Sequence, residues 1–388
     1  MTYRVESGVI ITSLTLIKKL YMKRQISATS RFSRRHFIGT AAGAAAAFTI
    51  LPRLTSCSGS SSGSASSARL NSKFGGVQIG CITYSFRDMA TDIDTTIKAC
   101  VDSGCSSIEL MSTGIEEHLG APKAPPRPQR PQMSPPPSPP SSSGDTRQET
   151  RAANRADGGF QRQPISEEQQ AAQEKYAADL KEWRLTVPMS KYEDLRKKFN
   201  DSGIDIHIVK FSPGRWADDE IDYAFRAAKA MGAKGVTDEI GDEAVVKKLA
   251  TIAEKHNMFA IFHQHMQFAE EGFSYDPYIA ISPAVMMNFD AGHFFGSTGI
   301  HPNTIIDKYH DRIFSIHLKD KTGPYTDPPN TNQVWGQGEM PLADVLLNLK
   351  EKKYPIYADI ELEYRVAPWS NSVKEVRTCV NYARQILI

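Results

Sequence analysis

The chain reads as a single α/β domain of the (β/α)8 type, the TIM-barrel architecture, with a proline-rich insertion after its second strand. Three observations predict this. From Phe74 onward, short β-rich runs alternate with helical patterns, as parallel strands joined by helical crossovers do. Eight such runs can be counted. Metal-ligand side chains stand at the ends of three consecutive runs: Asp290 after Val285 to Phe289, His317 after Ile313 to Ile316, and Glu361 after Pro355 to Ile360. Barrels of this kind keep their chemistry at the carboxyl ends of their strands.

The predicted strands are Val77–Thr83, Ser106–Met111, Ile204–Phe211, Gly235–Glu239, Phe259–His263, Val285–Asp290, Ile313–Leu318 and Ile356–Glu361. Helices are expected near Thr91–Ser103, Ala171–Asn200, Asp218–Met231, Asp242–His256, Asn303–His310, Pro341–Lys352 and Ser370–Ile388. The fifth connection is short, with Asp276–Ser282 as its candidate helix. The connection after the second strand differs. From Ala121 to about residue 165 it carries runs such as Ala124-Pro125-Pro126 and Ser134-Pro135-Pro136-Pro137, a composition that cannot pack a core and reads as disordered and partly polyproline. Order is expected to resume near Ser166.

The front of the chain reads as a leader. Ser33-Arg34-Arg35-His36-Phe37-Ile38 precedes an alanine-rich apolar run from Gly39 to Leu51, which looks like a twin-arginine export signal. Leu54-Thr55-Ser56-Cys57 resembles a lipobox, with Cys57 as the lipidated residue. Residues 58–73 have the Ser/Gly composition of a flexible tether, so the barrel is expected over residues 74–388. The expected location is periplasmic, free or held to the membrane by the leader or a lipid.

Charge narrows the partners. The chain has 46 Lys/Arg and 44 Asp/Glu, of which residues 1–57 hold nine and one, leaving 37 bases against 43 acids. A mildly acidic body has no basic stripe for a phosphate backbone, which argues against a nucleic-acid role. Cys81, Cys100, Cys105 and Cys379 match no zinc spacing and read as small buried hydrophobes.

Residues two apart on a strand share a face. If His317 points into the barrel mouth, Lys319 does too. Asp359, Glu361 and Glu363 go together, as do His263 and His265. Successive strand ends therefore offer Glu239, His263 or His265, Asp290, His317 and Glu361 to one point. Mixed carboxylate and imidazole ligation suits one divalent ion, Mn²⁺, Mg²⁺, Co²⁺ or Zn²⁺, without selecting among them. Asp290, His317 and Glu361 are the expected core of the site, with Glu239 as fourth ligand and His263 and His265 as substrate contacts or supports. His293 reads equally as ligand or support. Lys319 is either an oxyanion partner or a solvated lysine, and Trp335 before Gly336-Gln337-Gly338 is either a wall for a sugar ring or an aromatic plug.

The run from Phe74 to the C-terminus resembles the xylose-isomerase-like TIM barrels of the sugar phosphate isomerase/epimerase type. The marks are Ile79-Gly80 through Tyr84-Ser85-Phe86-Arg87, Ile108-Glu109-Leu110, Phe262-His263-Gln264-His265, Phe289-Asp290-Ala291-Gly292-His293, Ile316-His317-Leu318-Lys319-Asp320, Gly336-Gln337-Gly338 and Glu361-Leu362-Glu363. The resemblance implies metal binding by Asp290, His317 and Glu361, and a place for Glu109 among the substrate contacts. The chain departs from many relatives at Gln264, where they have Asn, and at Phe268, where they have an acid.

A metal that polarises a sugar carbonyl acidifies the adjacent carbon, so that a nearby base makes an enediolate. Glu361, Glu239 and His263 are candidates to move that proton, with Lys319 steadying the oxyanion. The expected function is a metal-dependent isomerase or epimerase of an unphosphorylated sugar, because an exported protein does not meet phosphorylated ones. The alternatives are a metal-dependent lyase acting on 3-keto-glycosides and a non-catalytic sugar-binding lipoprotein.

Overall fold

The computed structural model describes residues 70–90, 92–125 and 166–388. The leader, Cys57, the tether up to residue 69 and insertion residues 126–165 lie outside the described residues. No helix among the described residues is long and apolar enough to cross a membrane.

A two-residue strand β1 (Lys73–Phe74) pairs antiparallel with β2 (Val77–Ile82). The barrel continues through β3 (Ser107–Met111), β4 (Asp205–Lys210), β5 (Gly235–Glu239), β6 (Phe259–His263), β7 (Val285–Asp290) and β8 (Ile313–Leu318). A ribbon of β9 (Asp320–Lys321) and β10 (Asn332–Gln333) follows, and β11 (Tyr357–Ile360) completes the circle. The eight strands β2 to β8 and β11 are all parallel, and β2 pairs with both β3 and β11, so no barrel edge stays open. Every predicted strand is present to within a residue or two at its ends.

The helices are α1 (Ile93–Ser103), α2 (Ser112–His118), α3 (Glu167–Thr186), α4 (Ser190–Asp201), α5 (Asp218–Ala230), α6 (Glu243–His256), α7 (Asp276–Ile279), α8 (Ala291–Thr298), α9 (Asn303–Tyr309), α10 (Leu342–Lys352) and α11 (Ser372–Leu387). Order resumes after the insertion where expected, because Ser166 and Gln169 form a reciprocal capping box at the start of α3. The single helix expected over Ala171–Asn200 is two. Pro188 has no N–H to donate and forces Val187 into an extended conformation, which ends α3. Arg184, near that end, is clamped by Glu116 (Nε to Oε1, 2.8 Å) and Glu220 (Nη1 to Oε1, 3.0 Å) and stacks on Trp216. The clamp fastens α3 to α2 and α5.

Two apolar layers hold the barrel. The larger lies between strands and helices. The smaller lies inside the barrel and consists of Ile208, Ile261 and Phe314, backed by Phe259, Met286 and Tyr357. It positions the site by pleat parity: Phe259, Ile261 and His263 share a face of β6, Met286, Asn288 and Asp290 one of β7, and Tyr357, Asp359 and Glu361 one of β11. An apolar plug near the strand starts therefore implies that the polar residues further along point to the same axis. Two bulges adjust this alternation. His207 is an extra residue opposite β3, and Phe314 is one opposite β7. The second turns Phe314 into the plug and sets His317 and Lys319 inward above it. Cys81, Cys100, Cys105 and Cys379 are buried free thiols, as their spacing suggested.

Candidate active site

The deepest polar layer rests directly on the plug. His207, which stacks on Tyr357 with ring centres 4.3 Å apart, has Nε2 3.0 Å from Asp359 Oδ2 and Nδ1 2.9 Å from Ser107 Oγ. Gly80 makes room for this pair, since a Cβ there would fall 2.0 Å from Asp359 Oδ1. Above it, Glu109 accepts from Thr237 Oγ1 (3.0 Å), Asn288 Nδ2 (2.9 Å) and His317 Nε2 (2.7 Å). His317 uses its other nitrogen on Glu361, with Nδ1 2.9 Å from Oε2. Burial disfavours the imidazolium, but carboxylates on both sides outweigh it and raise the His317 pKa well above the ordinary histidine value. Burial would likewise raise Glu361, yet Lys319 and His317 hold its carboxyl well below the usual range.

The next layer is the place where ligand atoms converge. Lys319, 2% exposed, puts Nζ 2.8 Å from Asp290 Oδ2, 2.7 Å from Glu361 Oε2 and 3.1 Å from Glu363 Oε2. It is no solvated surface lysine. Asp290 divides its labour: Oδ1 accepts the His293 N–H at 2.7 Å and caps α8, leaving Oδ2 for the site. Buried His263 has Nε2 3.7 Å from that same Oδ2, and its Nδ1 has no hydrogen-bond partner among the described residues. Burial and the charges of His317 and Lys210 push the His263 pKa well below its ordinary value. The ring is neutral and keeps a lone pair to offer.

The outermost layer is half-open. Glu239 binds Lys210 through Oε1 at 2.6 Å, while Oε2 lies 3.4 Å from His265 Nδ1. Across the mouth, His293 Nε2 lies 3.5 Å from Glu363 Oε2. Burial would raise Glu363, but His293 and Lys319 prevail and hold it at about 2. The two rim imidazoles, His265 and His293, have ring centres 5.1 Å apart. Lys321 reaches His293 Nδ1 at 3.4 Å, and burial together with the nearby Lys319 charge lowers its pKa.

The structure thus brings Asp290, His317, Glu361, Lys319, His263, His265, His293, Glu239 and Glu109 to one end of the barrel. Three compact ligand groups result: His263 with Asp290 and His317, Glu239 with His263 and His265, and, deeper, Glu109 with His317 and Asp359. Glu239 stands with the rim histidines and Lys210, so His263, not Glu239, is grouped with Asp290 and His317. Glu109 lies beneath His317 with its oxygens saturated and does not reach the mouth. Trp335 packs into the core instead of walling the mouth: it is 5% exposed and meets Tyr382 of α11 edge-on at 5.7 Å. Its loop is drawn down by Asp320, whose Oδ2 accepts from Gly336 N (2.8 Å) and Gly338 N (2.9 Å). Lys210, Lys321 and Glu363 were not among the expected site residues. Parity with Lys319 and Glu361 was the signal for the last two, and the end of the third barrel strand was the signal for Lys210.

The donor set fits a divalent cation. Six carboxylates at this end, Glu109, Glu239, Asp290, Asp359, Glu361 and Glu363, face four positive groups, Lys210, Lys319, Lys321 and the imidazolium of His317, which leaves a local deficit that such an ion would balance. Neutral His263 adds a nitrogen donor.

No family model and no curated protein matches the chain. Solved structures do. A xylose isomerase domain protein from Alicyclobacillus acidocaldarius subsp. acidocaldarius is 10% identical over 80% of this chain and 98% of that one, with a TM-score of 0.50. A D-psicose 3-epimerase with D-tagatose from Clostridium cellulolyticum H10 is 10% identical over 80% and 99%, with a TM-score of 0.49. A sugar phosphate isomerase/epimerase from Parabacteroides distasonis ATCC 8503 is 13% identical over 82% and 97%, with a TM-score of 0.48. The chain is therefore similar in fold to the xylose-isomerase-like TIM barrels.

Proposed function

We propose that the chain is a divalent-metal-dependent isomerase or epimerase of an unphosphorylated sugar. The observation that carries this reading is the convergence of Asp290, Glu361 and Glu363 on the Lys319 ammonium, which marks a place where carboxylates meet a cation. His263, Asp290 and Glu361 would hold one Mn²⁺, Mg²⁺, Co²⁺ or Zn²⁺ ion, and His317 would join them only by giving up the Nδ1 proton it now shares with Glu361. When bound, that ion supplies Lewis acidity to a sugar carbonyl and acidifies the neighbouring C–H.

The chain's own groups handle the proton. Glu239 is anchored through Oε1 by Lys210, and its Oε2 has no hydrogen-bond partner among the described residues, so it can take a proton. His293, with an equally unpartnered Nε2 beside Glu363, can return one from another direction. Return to the other face of the same carbon gives an epimer, and return to the adjacent carbon gives an isomer. Lys319 donates to negative charge on the substrate oxygen. Glu109 holds the His317 ring from below.

A lyase acting on 3-keto-glycosides is favoured by one separate observation. Tyr325 and Trp369, on loops after β9 and β11, are 93% and 83% exposed, which suits contact with a second group attached to the sugar. Export by the leader, with Cys57 as lipid anchor, completes the proposal. Incubating metal-loaded protein with free ketoses and with 3-keto-glycosides in D₂O tests it. Deuterium in recovered, uncleaved sugar is expected for the isomerase, and release of the aglycone for the lyase. If neither occurs with any of the four metals, while Asp290→Ala and His317→Ala leave sugar binding unchanged, the chain is a sugar-binding protein and the enzymatic reading falls.

A further inference from the structure

Lys319 occupies the oxygens that the proposed ion would use. Its Nζ lies 2.8 Å from Asp290 Oδ2 and 2.7 Å from Glu361 Oε2, and a divalent cation between the same atoms would meet the ammonium at close range. The two positive charges cannot share those lone pairs. The third partner, Glu363 Oε2 at 3.1 Å, sits nearer the rim and is more exposed than either of the other two. The lysine stem has been given room: a Cβ at Gly292 would fall 2.1 Å from Lys319 Cγ and 3.1 Å from Cδ. Gly292 follows the α8 cap, so a missing side chain there opens the track along which the stem lies.

We propose that Lys319 is an exchangeable counter-ion of the metal seat. Its ammonium fills the seat when no cation is present, and it shifts onto Glu363 when a cation enters. The inference rests on reading Asp290 and Glu361 as ligands. Two consequences follow from the chemistry. The metal-free protein keeps its buried carboxylates neutralised and its site ordered, since unpaired buried charges are strongly destabilising. Metal entry also carries a positive charge towards the rim, where His293 and the sugar would be, so occupancy of the seat and readiness for the substrate oxygen become one event.

The test is calorimetric titration of the full chain with Mn²⁺, alongside thermal denaturation with and without the ion. Lys319→Met removes the competitor and is expected to bind Mn²⁺ at least tenfold more tightly, while its metal-free form melts lower than the parent and regains the difference on adding Mn²⁺. Glu363→Gln removes the receiving carboxylate and is expected to bind Mn²⁺ about tenfold more weakly. Unchanged or weaker binding by Lys319→Met overturns the proposal. Should that variant not fold without metal, unchanged binding by Glu363→Gln overturns it independently. If the parent and both variants all fail to bind Mn²⁺, Co²⁺ and Zn²⁺, the metal reading itself fails and this inference with it.

Discussion

The layer around Glu109 and the rim around Glu239 are made of the same residue types, yet their bonding differs. In the deep layer Glu109 has three donors and His317 uses both nitrogens on carboxylates. At the rim, Glu239 Oε2 and His293 Nε2 have no hydrogen-bond partner among the described residues. Saturation suits a group whose task is to hold geometry, because every alternative rotamer would break a buried bond. A buried but unsatisfied atom at the mouth suits a group whose partner arrives from outside. A glutamate and a histidine thus serve as frame in one layer and as reagent in the next, and only the neighbours distinguish them.

The sharpest way to break this contrast is to remove the deep carboxylate. Glu109→Ala leaves the His317 imidazolium buried with one partner lost and is expected to cost about 3–5 kcal/mol, read from urea denaturation. If Glu239→Ala costs as much, the two layers are not different in kind. The rim should show the reverse pattern. His293→Ala is expected to slow turnover by about 10²-fold or more while costing about 1 kcal/mol, clearly less than Glu109→Ala, so steady-state rates and a melting curve on one preparation decide it. Glu109→Gln, which keeps the shape but weakens the hold on His317, is expected to lower metal affinity by roughly tenfold, measured by equilibrium dialysis.

The most gradual effect is that of pH on stability. Burial would raise both Glu361 and Glu109, but Lys319 and His317 outweigh it at Glu361, and His317 and Lys210 outweigh it at Glu109, so both stay below the ordinary carboxylate range. Their contribution is present above an unfolded value of about 4.3 and is lost as pH falls through the depressed folded values. His317 is raised, so its contribution is complete below about 6.5 and is lost as pH climbs through the raised value. Burial holds His263 unprotonated, so its unfolded form gains charge first as pH falls, and the urea midpoint should peak near pH ~6.5 and fall on both sides. A midpoint that stays level from pH 7 to 10 would mean that His317 is neutral in the folded protein.

Much of the frame could be read from the sequence. Strand alternation and the residues closing each strand placed Asp290, His317 and Glu361 together, because pleat parity is a local property. What could not be read depended on register between strands. The bulge at Phe314 sets how far Lys319 rises along the axis, and so which carboxylates it meets. The pairing of Lys210 with Glu239 likewise crosses between neighbouring strands, β4 and β5. Trp335 went to the core because Asp320 gathers its loop through backbone amides, and side-chain pattern carries no record of that. The break between α3 and α4 was written at Pro188 all along.

Asp290 joins two jobs in one resonance-stabilised group. Its Oδ1 takes a free amide in the first turn of α8, at His293, while Oδ2 meets Lys319. Electron density drawn to one oxygen is withdrawn from the other, so a stronger cation at Oδ2 makes Oδ1 a poorer acceptor and loosens the first turn of α8. His293 rides on that turn. The carboxylate therefore ties the group at Oδ2 to the start of the helix that carries a rim imidazole.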